Sequence, residues 1–373
     1  MRSRATTAQS GRFRIAVLAG DGIGSEVMSA AVEVLRAIEL RLAGTRFALT
    51  ELSAGAGEYL RSGNPLPPAV FDQLRESDAI LLGAMGLPGV RWPGGVEMTP
   101  QLDLRERLDL YCGLRPVYLY HPADSPLRNR AAGDIDLLLI RESTEGLFSS
   151  RQQQVDAEGS FGAVCIAEDK LRITRHGAER VIRAAFRAAM TRRGHVTLVD
   201  KANVLPSMVF FRRIFDEVAA EFPEAITERV YVDAAALYLV RRPEMFDVMV
   251  TENMFGDILS DLAAGLVGGM GMAPSADIGE HYAVFQPAHG SAPDIAGKGI
   301  ANPVAAILSV AMMLEWLGTA EMCAAAVMIR EAVREVMADP AARTRDMNGN
   351  LTTRQMTEFI ISALPGAPTA RTT

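Results

Sequence analysis

Short runs of β-branched and aliphatic residues recur along the chain, separated by longer segments in which apolar residues return every three or four positions. The short runs are RIAVLAG (14–20), AILLGAMG (79–86), DLLLIRE (136–142), HVTLVDKAN (195–203), RVYVDA (229–234) and FDVMVTEN (246–253). Apolar stretches of this length, with little alternation, suit strands buried on both faces. Helical periodicity runs through SEVMSAAVEVLRAIELRLA (25–43) and ITRHGAERVIRAAFRAAMTRR (173–193). Strands interleaved with helices predict an α/β fold built on a large, mostly parallel sheet with helices on both faces. Functional groups in such folds gather at the carboxyl ends of strands. Four of the runs end in polar residues: Arg141 with Glu142, Lys201 with Asn203, Asp233, and Asn253 with Asp257 just beyond.

Two segments depart from this texture. RQQQVDAEGSFGAVCIAEDKLRI (151–173) has neither helical period nor a long apolar run and reads as an excursion, an antiparallel arm. Past residue 267 the chain turns Gly- and Pro-rich and then gives two Ala/Met-rich helices. A chain of 373 residues exceeds the size at which one core stops growing, so two lobes are expected.

Composition narrows the function. A net charge of −7 with mixed signs along the chain excludes a basic nucleic-acid binder, so an anionic ligand must be caught by local cations. Cys112, Cys165 and Cys323 form no CxxC pair, which argues against a thiolate metal site or disulfide framework and for a reducing cytoplasm. No run is long and apolar enough to predict a membrane span. The ends, MRSRATTAQSGRFR and LPGAPTARTT, are expected to fray.

Candidate chemistry sits in five places. In TENMFGDILSDLAAGL (251–266), Asp257 and Asp261 are four apart, so on a helix they share a face and repel unless something positive lies between them. A divalent cation and a solvated acidic face are both open at this point. Arg105, Arg115 and Arg141 lie near strand ends, where guanidinium forks match carboxylates and stay charged when desolvated. Lys201 ends a buried run in VDKANVLP (199–206), the place for a general base or for a structural ion pair. HGSAPDIAGKGIANP (289–303) is rich in Gly and Pro, as backbone is where a ligand comes close. LAGDGIGSEV (18–27) lacks the third glycine offset of a dinucleotide fingerprint and predicts a tight strand-to-helix turn.

Taken together, GDGIG, LDLYCGLRP, VDKANVL, FGDILSDLA and HGSAPDIAGKGIANPVAAILS, in this order between residue 14 and about 318, resemble the metal-dependent β-decarboxylating dehydrogenases that act on 3-isopropylmalate, isocitrate, homoisocitrate and tartrate or D-malate. The resemblance implies a two-lobed fold: a terminal, cofactor-binding lobe of residues 1–110 plus 268–373, and a central lobe, 111–267, for dimerisation, metal and substrate. It also implies a homodimer with shared active sites, clasped by the 151–173 arm. Asp257 and Asp261 of one subunit and Asp233 of the other are implied ligands of Mg²⁺ or Mn²⁺, and Lys201 of the partner subunit is the implied proton acceptor. Arg105, Arg115 and Arg141 grip the departing carboxylate of a 2-hydroxy dicarboxylate, with Gln101, Asn203 and Val204 near its substituent. His289, Gly290, Ser291, Ala292, Asp294 and Asn302 surround adenosine, and the Asp294 carboxylate favours NAD over NADP.

The chain departs from the family pattern at three points. Phe148 in RESTEGLF stands where a proton-donating tyrosine is usual, which is also a change carried by non-catalytic subunits. Where isopropylmalate enzymes have leucines this chain reads Gln101 and Leu102, and the Gln101 amide keeps tartrate or D-malate open beside 3-isopropylmalate. Gln286 stands where glutamate is usual before the HG loop.

Overall fold

The computed structural model describes residues 11–42, 44–92, 95–152 and 168–366. Of the ends expected to fray, 1–14 and 364–373, residues 1–10 and 367–373 lie outside the described residues, as do residues 153–167 of the expected arm, whereas Arg12–Arg14 open the first strand, where pairing holds them. Among the described residues ten strands form: β1 (Arg12–Gly20), β2 (Arg46–Leu52), β3 (Ala79–Ala84), β4 (Cys112–Tyr118), β5 (Asp136–Glu142), β6 (His195–Asp200), β7 (Ile226–Tyr231), β8 (Val248–Thr251), β9 (Pro274–Ile278) and β10 (Ala283–Pro287). They join one sheet in the order β2-β1-β3-β10-β9-β4-β5-β8-β6-β7. Six of its nine pairings are parallel, and the three antiparallel ones, β10 with β9, β9 with β4 and β4 with β5, lie together at its centre. The mixed, mostly parallel α/β sheet expected from the sequence is thus present, with two parallel halves joined by an antiparallel middle.

All six apolar runs form strands, and the helices between them are α1 (Gly24–Glu39), α2 (Ala56–Ser62), α3 (Pro68–Glu76), α4 (Pro100–Arg107), α5 (Arg175–Ala189), α6 (Pro206–Ala219), α7 (Val232–Arg241) and α8 (Asn253–Gly265). The C-terminal part adds α9 (Val304–Leu317), α10 (Ala320–Ala338) and α11 (Thr353–Ala363), three helices where the sequence suggests two. A capping box at Thr352 and Gln355 starts the third: each side chain satisfies the other residue's orphan N–H.

The first half of the sheet is covered on one face by α1, α9, α10 and α11, whose Val34, Ile307, Ile329 and Ile360 belong to one core with Ile15 and Phe285. On its other face Phe71, Leu74 and Leu104 of α3 and α4 meet Leu18, Ile80 and Val284. In the second half Phe186 and Phe215 of α5 and α6 pack on one face, and Leu239 and Leu259 of α7 and α8 on the other. One-sided stripes of this kind make the periodicity legible in α1 and α5, whereas α9 is buried on all sides from Val304 to Leu314 and has none.

Three features escape the local pattern. The 229–234 run stops pairing at Tyr231, so Asp233 lies in the first turn of α7 rather than at a strand end. The 101–117 segment is helical only to Arg107 and extended from Cys112, which puts Arg115 inside β4. Finally, β9 and β10 arise within the Gly- and Pro-rich stretch as five-residue strands, every residue buried, with prolines confined to their outer ends.

Candidate active site

Pairing register decides which side chains meet. Gly113 lies opposite both Asp277 and Arg141, and Gln286 opposite Ser275. Because side chains alternate, Arg115, Arg141, Ser275, Asp277 and Gln286 all leave the same face of the antiparallel centre. Above that face lies a cavity of about 240 Å³ bordered by Gln101, Arg105, Arg115, Arg141, Phe148, Asp257, Asp261, Gln286, His289 and Gly290 among others. The site therefore draws on strand interiors and on α4 and α8 as well as on strand ends.

All three arginines are buried. Arg105 Nε donates to Asp277 Oδ2 at 2.9 Å, and Arg115 Nη2 to Asp277 Oδ1 at 3.2 Å. Arg141 donates through Nε and Nη2 to Asn253 Oδ1, at 2.9 and 2.7 Å, and through Nη1 to Asp257. Burial, and next the charge of Arg105, pulls the Arg141 guanidinium down to about 10, which leaves it charged at neutral pH. Burial on its own raises the Asp277 carboxyl, but the charges of Arg105, Arg115 and Arg141 outweigh it and hold the group at about 2. Sequence reasoning misses Asp277, which sits in MAPSADIG without any periodic or charge signal.

Helix α8 is aimed by its N-cap, Glu252, whose carboxylate accepts from the N–H groups of Phe255 at 2.6 Å and Met254 at 3.1 Å. Its Gly256 crosses Arg141 so closely that a Cβ there would lie 2.7 Å from Arg141 Cγ. Gly256→Ala is expected to cost about 1–3 kcal/mol of stability by overpacking. Because it displaces Arg141, it should also raise KM for the substrate more than it lowers kcat; urea unfolding and steady-state kinetics check both.

Asp257 and Asp261 share one face of α8 at the cavity. Burial, then the neighbouring Asp257 charge, raises the Asp261 carboxyl, against the lowering pull of Arg115 and Arg141. Hard oxygen donors one turn apart fit Mg²⁺ or Mn²⁺, as an incomplete set. Among the described residues, no group of three or more His, Cys, Asp or Glu gathers within the chain to hold a metal ion. Asp233 instead accepts from Lys201 Nζ at 2.6 Å, and this contact lowers the Asp233 carboxyl. Neither residue borders the cavity, nor do Asn203 and Val204, which are exposed on the turn after β6.

On the opposite rim, His289 and Gly290 border the cavity while Ser291, Ala292, Asp294 and Asn302 continue away from it. Ser291 ties this loop to the 18–27 turn, since its carbonyl accepts from Ile23 N–H at 2.8 Å. The turn is the tight strand-to-helix connection expected: Asp21 accepts from the N–H groups of Ala56, Gly57 and Gly86, each at 2.8 Å. Asp294 is exposed, and the buried His289 Nε2 has no hydrogen-bond partner among the described residues, so this loop offers polar groups to a ligand. Asn302 is buried and engaged, donating to Asp346 at 3.2 Å and accepting from Val304 N–H at 3.1 Å. Gln101 borders the cavity with its Oε1 buried and, among the described residues, unpaired.

A guanidinium wall facing a carboxylate pair, on a mixed α/β sheet, defines a site for a small anion able to chelate a cation. The chain belongs to the isocitrate/isopropylmalate dehydrogenase family, whose profile matches residues 14–360, and is thus an enzyme of the decarboxylating dehydrogenase class. It is 46% identical over 346 residues, 91% of this chain and 98% of the relative, to the 3-isopropylmalate dehydrogenase of Corynebacterium aurimucosum. Identity to the 3-isopropylmalate dehydrogenase of Moorella thermoacetica is 45% over 344 residues, covering 90% and 93% of the two chains. Among solved structures it resembles isocitrate dehydrogenase from Methylococcus capsulatus, with a TM-score of 0.85 and 39% identity over 94% of this chain and 99% of that one.

Proposed function

We propose that the chain is an NAD-dependent, Mg²⁺- or Mn²⁺-dependent 3-isopropylmalate dehydrogenase-like enzyme, oxidising and decarboxylating a 3-substituted (R)-malate. The observation that carries this reading is the meeting of Arg105, Arg115 and Arg141 with Asp257 and Asp261 in one cavity. The names borne by the relatives favour an isopropyl substituent over tartrate or D-malate. They do not favour a non-catalytic subunit either, and the lysine, arginines and aspartates of the site are all present.

In this reading the arginines hold the carboxylate that departs and align it. Lys201 of the partner subunit takes the hydroxyl proton as C2 is oxidised. The C3–carboxylate bond of the resulting 2-oxo acid then breaks, CO₂ leaves, and C3 of the enolate takes a proton. Bound NAD supplies the hydride acceptor, and a cation held by Asp257, Asp261 and Asp233 of the partner subunit supplies Lewis acidity toward the hydroxyl and carbonyl oxygens. The loop from His289 to Asp294, with Asn302, holds the adenosine of NAD, and Gln101, Asn203 and Val204 adjoin the substituent. The lobes are 1–110 with 268–373 for the cofactor and 111–267 for metal, substrate and dimerisation, with 151–173 as the clasping arm. Support for a homodimer comes from Tyr231, Leu237, Val240 and Ile258, large apolar side chains left exposed near Asp233 and on α8. No helix among the described residues is long and apolar enough to cross a membrane, and we place the enzyme in the cytoplasm.

Phe148 borders the cavity with its ring centroid 5.2 Å from Arg141 Cζ and has no proton to give, so the enolate takes its proton from water or from another group. Phe148→Tyr is expected to raise kcat about tenfold, a part of the roughly 10²-fold a positioned acid can supply. Steady-state rates and the mass of the released product check this. The function itself is tested by NADH formation with 3-isopropylmalate, tartrate, D-malate and isocitrate. Turnover of 3-isopropylmalate with the highest kcat/KM is expected, and no turnover of any acid overturns the reading.

A further inference from the structure

Asp277 lies behind the arginine wall, not in the cavity, and its side chain is only 1% exposed. It is nevertheless a heavily engaged carboxylate. Arg105 Nε, Arg115 Nη2, Gln286 Nε2 at 2.9 Å and Ser143 Oγ at 3.5 Å all converge on it, from α4, β4, β10 and the turn after β5. The sheet makes room for it: a Cβ on Gly113, its cross-strand neighbour, would stand 3.1 Å from Asp277 Oδ1 and 2.6 Å from Ser143 Oγ. Gln286 contributes a neutral amide that donates, so the carboxylate is satisfied without adding a second negative charge.

The consequence is electrostatic. Three guanidinium charges face two carboxylates that contact them, Asp277 from behind and Asp257 from α8. Asp277 thus cancels one of the three positive charges of the wall, while Asp257 belongs with Asp261 to the proposed cation site. A wall without Asp277 would carry one charge more and would welcome a second carboxylate. We propose that Asp277 is a specificity-determining positioning residue, which orients Arg105 and Arg115 and sets the charge of the wall so that the site takes a dicarboxylate with an uncharged 3-substituent and rejects a tricarboxylate. This rests on the reading of the site as one for substituted malates.

The test measures binding of 3-isopropylmalate and of isocitrate to the full-length, Mg²⁺-loaded protein by calorimetry, together with kcat and KM for both acids. Asp277→Asn keeps the shape and removes the charge; Asp277→Ser is the smaller replacement in case the amide is not accommodated. Both are expected to raise the affinity for isocitrate relative to 3-isopropylmalate about tenfold, the effect of one unit charge several ångströms away in a partly screened site. The change should fall on KM rather than kcat. An unchanged preference, or equal weakening of both acids, overturns the proposal, because a merely structural carboxylate would affect the two alike. The two readings fail separately: if the variants shift the binding preference while the wild type binds the dicarboxylate without oxidising it, the proposed activity alone is refuted.

Discussion

Replacing Lys201 by methionine is expected to lower kcat about 10³-fold, within the range that a positioned general base contributes, while NAD binding stays unchanged. Methionine keeps the length and apolar stem of lysine but cannot accept the hydroxyl proton. Lys201 meets Asp233 at 2.6 Å and lies off the cavity of its own chain, as the proposed sharing of sites between subunits requires. This makes a second result available. Mixing Lys201→Met with Asp257→Asn chains should regenerate one intact site in each mixed dimer, and so about one quarter of wild-type activity in a random population of two-fold symmetric dimers. Steady-state kinetics on separately purified and co-refolded chains gives both numbers. Complete inactivity of the mixture would place Lys201 and Asp257 in the same half of the site.

Asp257→Asn is the other large effect. An amide keeps one oxygen but loses the charge, and Asp261, whose carboxyl burial raises, is left as a single carboxylate on α8. Metal affinity and kcat/KM are expected to fall together, the latter on the order of 10³-fold, since the oxidised hydroxyl loses its Lewis acid. A thermal shift assay separates this from misfolding. Mn²⁺ at about 100 times its Kd stabilises a protein that binds it by about 2.7 kcal/mol. The wild type should therefore show a rise in Tm with Mn²⁺ that the variant lacks. Arg141 keeps both hydrogen bonds to Asn253 when Asp257 is neutralised, so the wall itself survives. An equal Mn²⁺ shift in the two proteins would remove Asp257 from the metal site.

How much of this is legible beforehand differs from residue to residue. Arg141 and Asp257 stand at or just past the ends of apolar runs and line the cavity, as the rule for parallel sheets leads one to expect. Arg115 stands out as a charge, yet its partners come from β9, a strand that begins only at Pro274: Arg115 donates to the Ala276 carbonyl at 3.3 Å and to Asp277 Oδ1 at 3.2 Å. No window of sequence a helix or strand in length spans that distance, so periodicity could not reveal it. Lys201 and Asp233 also stand out, but their contact with each other and their position off the cavity follow from the way β6 and α7 lie side by side.

The sequence by itself determined local elements and the chemical groups: six of the strands, the periodic helices α1 and α5, the glycine-rich loop at 289–303, and the arginines, lysine and aspartates on which the family resemblance rests. These follow from contacts between residues two to four apart, where apolar period and capping act. The tertiary structure decided the antiparallel centre of the sheet, the close crossing of Gly256 over Arg141, and the capture of Arg105 and Arg115 by Asp277 across 172 and 162 positions. A buried charge must find its counter-charge wherever the fold brings one, and that requirement leaves no trace in the spacing of neighbours along the chain.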